Sequence, residues 1–122
     1  MAHEMHMRDD GILSIALDGD MDKEDVATFS AAIQPFLEGA SEEHPLRVLA
    51  QRNTAGRYRP AARRLFAELS SDPRLGKVAV ASPSRYGRVL VGFIVKASGR
   101  DNVHFCSSKD DAVAWLQEKD RV

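Results

Sequence analysis

Apolar and polar positions change their period several times along the chain. Met5 and Met7 alternate with polar neighbours, Asp9-Asp10-Gly11 supplies turn chemistry, and Ile12, Ser14 and Ala16 then alternate against Leu13, Ile15 and Leu17. Two strands joined by a tight turn are predicted, near residues 4–7 and 12–18. Val26, Phe29, Ile33, Phe36 and Leu37 next recur at helical spacing. Asp22 stands before them as a cap, and Glu24 and Asp25 suit the positive end of the helix dipole. Pro35 predicts a kink or a shortened helix, and Gly39 its stop.

The branched apolar run "LRVLA" at 46–50 reads as a buried parallel strand. Pro60 suits the first turn of a second helix, with Ala62, Leu65, Phe66 and Leu69 on its inner face. "KVAVA" at 77–81 is a further buried strand. Residues 84–97 carry two signals: their branched side chains favour a strand, whereas Tyr86, Val89, Leu90, Phe93, Ile94 and Ala97 fit a helical stripe, and we assign a helix. That phase leaves Val91 and Val95 one turn apart on another side, between Arg88 and Lys96. They form an expected apolar strip with basic edges, unless the sheet simply covers a wide helix face. "NVHFC" at 102–106 predicts a last strand, and Ser108 with Asp111 a capping pair for a helix burying Ala112, Trp115 and Leu116. The order β, β, α, β, α, β, α, β, α implies an α/β fold in a single domain over 1–122, with one mixed, largely parallel five-stranded sheet and four helices.

The length of 122 residues is that of one core. The longest apolar run, "VLVGFIV" at 89–95, is far short of a membrane span. "MAHEMHMRDD" has acids where a secretory signal has basic residues, so a cytoplasmic setting is expected. The single cysteine, Cys106, excludes an intrachain disulfide and any multi-cysteine zinc site. Net charge is −1, but residues 1–46 hold 2 Lys+Arg against 11 Asp+Glu, whereas residues 47–100 hold 12 against 2. A basic middle beside an acidic start can bind an anionic partner, pair internally or stay solvated.

The densest chemistry is the loop "QRNTAGRYRP" at 51–60. Arg52, Arg57 and Arg59, with the backbone N–H groups opening the next helix, form a candidate anion or partner contact. A solvated turn and phosphorylation of Thr54 are the alternatives. The loop lacks the Gly-Lys-Ser/Thr of a nucleotide-binding loop, and no dinucleotide fingerprint occurs. A small enzyme acting on an anionic substrate there is the rival reading, disfavoured because no acid, base or nucleophile stands near the arginines. His104 and Cys106 share one side of a strand and His3 and His6 lie near the start, but neither pair completes a metal site, and none is expected. Cys106 in a strand behaves as a small hydrophobe rather than a nucleophile.

The element order, with "IALDGDMDKEDVATF", "KVAVASPSRYGRVL" and "VHFCSSKDDAVAWL", resembles the SpoIIAA-like group of the STAS fold, among the STAS and CRAL-TRIO-like domains, over about residues 5–118. The resemblance implies a non-catalytic binding or regulatory domain without a cofactor. Such a domain contacts a protein partner or a second copy, or holds an apolar, lipid-like ligand; nucleic acid is not an expected partner. In signalling members the loop after the central strand presents a phosphorylatable Ser or Thr. The matching stretch here is "QRNTAGRY", with Thr54 the nearest hydroxyl and no serine pair. The candidate binding residues are therefore Arg52, Thr54, Arg57, Arg59, Tyr86, Val91 and Val95.

Overall fold

The computed structural model describes residues 4–16, 20, 22–52, 59–82 and 85–118, the side chains of residues 4 and 85–87 excepted. Strands β1 (Glu4–Met7) and β2 (Ile12–Ala16) form the expected hairpin. Gly11 closes its turn at φ 82°, a left-handed value that a side chain disfavours, and Asp10 Oδ1 accepts from Ile12 N at 3.2 Å. The chain continues through α1 (Lys23–Glu38), β3 (Leu46–Gln51), α2 (Pro60–Ser70), β4 (Leu75–Ala81), α3 (Arg85–Ser98), β5 (Val103–Cys106) and α4 (Lys109–Gln117).

The five strands lie in sequence order in one sheet, β1 antiparallel to β2 and every later pair parallel. Each parallel step moves to the next strand in the same direction. Right-handed crossovers that never reverse direction must stack their helices on one face. Accordingly α1, α2 and α3 cover the face bearing Leu13, Ile15, Val48, Ala50, Val80 and Val103. Helix α4 returns beneath the other face, onto Ile12, Leu49, Ala79 and Ala81.

Local chemistry sets the helix ends. Asp22 and Asp25 form a reciprocal capping box, each carboxylate accepting from the other's backbone N–H at 3.0 Å. Ser108 Oγ accepts from Asp111 N at 3.2 Å. Helix α1 runs on through Pro35 for a last turn before Gly39, so Pro35 does not shorten it. The carbonyl that Pro35 leaves without a donor belongs to exposed Ala31, where water can take its place. The C-terminal carbonyls of α4 are held by cations from the sheet: Arg47 Nη1 donates to Leu116 O at 2.8 Å and Lys77 Nζ to Glu118 O at 3.1 Å.

Candidate functional site

Side-chain parity along β3 decides where its last residue goes. Leu46, Val48 and Ala50 face the three-helix layer, and Arg52 continues that alternation one step beyond the strand, its N–H donating to Ala81 O at 2.9 Å. The Arg52 side chain therefore enters the core and is only 1% exposed. This corrects its expected place in a solvated loop. It borders a cavity of about 50 Å³ between the sheet and α1–α3, with Ile15, Phe29, Phe66, Leu90 and Ile94 in the wall. Apart from Arg52, the polar residue of that wall is Ser70, whose carbonyl accepts from Arg100 Nη1 at 2.9 Å.

Arg59 is exposed at the N-cap of α2 and makes no side-chain cap. Thr54 and Arg57 lie outside the described residues, as does the side chain of Tyr86, whose backbone is in the first turn of α3. The structure thus separates the expected arginine cluster, with Arg52 inside and Arg59 at the surface.

Helix α3 is a helix as expected, but its phase differs. Val91 is buried at 7% exposure, with Leu90 and Ile94, and Val95 packs partly buried against the same core. Val89, expected to face inward, is 60% exposed. The expected outward strip at Val91 and Val95 is therefore corrected. Residues 89–95 are apolar or glycine throughout, so the pattern fixed the helix without fixing its rotation. Packing against β4 and β5 draws in Leu90, Val91 and Ile94 and turns Val89 out.

On the opposite face, His104 stacks on Trp115 with ring centroids 4.2 Å apart, and Lys77 lies over the same indole at 5.1 Å. Cys106 packs against the α4 cluster. Burial, reinforced by the nearby Asp111 charge, raises its thiol pKa and leaves it a poor nucleophile.

The SpoIIAA-like family profile matches residues 12–117. The chain belongs to the SpoIIAA-like family. Among solved structures, this SpoIIAA-like chain is similar to an uncharacterised protein from Shewanella loihica PV-4 with a SpoIIAA-like fold. The TM-score is 0.64 at 17% sequence identity, over 94% of this chain and 92% of that one. No curated protein matches. At that identity the neighbour speaks for the fold, and the site rests on this SpoIIAA-like domain's own residues.

Proposed function

We propose that the chain is a non-catalytic binding domain of the cytoplasm, and that its ligand is an apolar molecule with an acidic head. The observation that carries this reading is the placement of Arg52, a guanidinium 1% exposed at the border of a cavity whose other described lining residues are apolar save Ser70. Arg52 already has an interaction within the chain, and the further donors of its forked guanidinium suit a carboxylate head better than a neutral group of the same shape. Hydrocarbon against Phe29, Leu90 and Ile94 supplies the remaining affinity by leaving water.

At about 50 Å³ the cavity is a closed form. A benzene-sized site is roughly 150 Å³, so an alkyl chain requires α3 to move away from β4 and β5. No helix among the described residues is long and apolar enough to cross a membrane.

Thermal unfolding with a medium-chain fatty acid and with the matching fatty alcohol tests the reading. A ligand at about 100 times its Kd adds about 2.7 kcal/mol, roughly 8–16 °C for a domain near this size. The acid should raise Tm well beyond the alcohol, and Arg52→Met should lower the response to the acid to that of the alcohol. Equal shifts by acid and alcohol in the native chain, or no shift by either, would contradict it.

A further inference from the structure

The outer side of the α2–α3 pair carries charge that the described residues do not neutralise by ion pairs. Arg59, Arg63, Arg64, Arg88 and Lys96 lie on these two helices or their caps, against the single acid Glu68, and none of the five joins an ion pair among the described residues. Arg63 lies in the seam between the helices, its guanidinium 5.1 Å from the centroid of the Phe93 ring. Its Nε is buried without a hydrogen-bond acceptor among the described residues. A buried charged donor with no acceptor is costly, and a carboxylate arriving from outside would relieve it.

The shape of the seam suits a helix. Small side chains, Ala67 and Ser71 on α2 and Ala97 and Ser98 on α3, border a groove of about 360 Å³, with Arg64 and Glu68 on its α2 rim. On α3, exposed Lys96 adjoins Ala97 and Val89 is exposed two turns earlier, whereas Arg88 lies on the other side of the helix, its guanidinium 5.2 Å from the centroid of the Phe105 ring of β5. The small side chains along the seam leave room for an incoming backbone.

We propose that the α2–α3 groove docks an acidic amphipathic helix of a partner protein, apolar stripe on Ala67, Ala97 and Val89, and carboxylates on Arg63, Arg64 and Lys96. Four of the five uncompensated cations are arginines, whose forked donors match carboxylates. The groove is concave and its rim includes Glu68, which favours a helix over an anionic membrane surface. Helices α2 and α3 both follow a parallel strand and so run the same way. The docked helix runs opposite to them, its negative C-terminal end near Arg59 at the start of α2. This surface lies outside the core cavity and does not depend on the ligand reading.

The test uses a helical peptide with an alanine and leucine stripe flanked by glutamates, its glutamine counterpart, and phosphatidylglycerol vesicles. Amide chemical shifts are followed on the full chain. The glutamate peptide should shift α2 and α3 amides, bind more weakly as salt rises, and bind at least about fivefold more tightly than the glutamine peptide. Arg63→Gln with Arg64→Gln should lose about fivefold of that affinity. Ala97→Gln, at an exposed residue lining the groove, should leave thermal stability nearly unchanged while abolishing docking by filling the groove. Equal affinity for the two peptides, no binding by either, shifts confined to other elements, or an Ala97→Gln chain that docks normally would overturn the proposal. So would vesicle binding that Arg63→Gln and Arg64→Gln remove, which assigns the surface to lipid.

Discussion

Replacing Val91 and Val89 separately by serine tests which side of α3 faces the core. Val91 is 7% exposed and Val89 60%. Serine at position 91 removes the equivalent of two buried methyl groups, about 0.8 kcal/mol each. It also leaves a partly collapsed void and inserts a hydroxyl that costs about 1–3 kcal/mol unless bonded. A hydrogen bond to the carbonyl one turn back offsets part of that cost, giving a loss of about 2–4 kcal/mol. At roughly 3–6 °C per kcal/mol for a chain of this size, Tm should fall by roughly 6–24 °C. At position 89 the same change touches solvent and should stay within about 0.5 kcal/mol. Thermal unfolding by circular dichroism, at dilute concentration and without ligand, gives both values. If Val89→Ser loses as much as Val91→Ser, or if Val91→Ser melts with the native chain, the assigned rotation of α3 is wrong, and with it the placement of the cavity wall and of the groove.

Two further outcomes follow from the end of the sheet away from Arg52. The hydrogen bonds from Arg74 Nε and Nη2 to the Asp72 carboxylate, at 3.1 and 2.8 Å, hold its pKa below the ordinary aspartate range, outweighing the desolvation that raises it. A depressed carboxylate adds stability that is present above the unfolded pKa and is lost as pH falls through the folded one. Asp72→Asn should therefore weaken the chain near neutrality and flatten its acid limb below about pH 4; an unchanged acid limb refutes the assignment. Gly76 opens β4 where an added Cβ would stand 2.9 Å from Pro45 Cβ, a ring atom with little freedom to retreat. Gly76→Ala should cost about 1–3 kcal/mol in chemical denaturation, and a neutral result would show that the Pro45 turn yields.

The fold was legible where local chemistry and period agreed. Asp22 with Asp25 and Ser108 with Asp111 announced two helix starts, and the hairpin turn stood in Asp9-Asp10-Gly11. The rotation of α3 was not legible, because a run apolar from 89 to 95, broken only by Gly92, supports more than one inward stripe and only packing chooses among them. Arg52 was misplaced because a charged residue beside a glycine-containing segment reads as loop. The missed signal was parity, since residues 46, 48, 50 and 52 lie on one face of a strand. The α2–α3 groove was hidden for a related reason. Arg63 looks like surface charge in sequence, and only the neighbouring helix makes it a seam residue over Phe93.

Native mass spectrometry of the chain, purified without detergent, tests the central claim most directly. The account predicts a species heavier than the bare chain by one small apolar acid. That ligand should be released on denaturation, recovered in the organic extract, and strongly depleted in Arg52→Met of confirmed fold. A bare chain in every preparation that also fails to take up added fatty acid would contradict it.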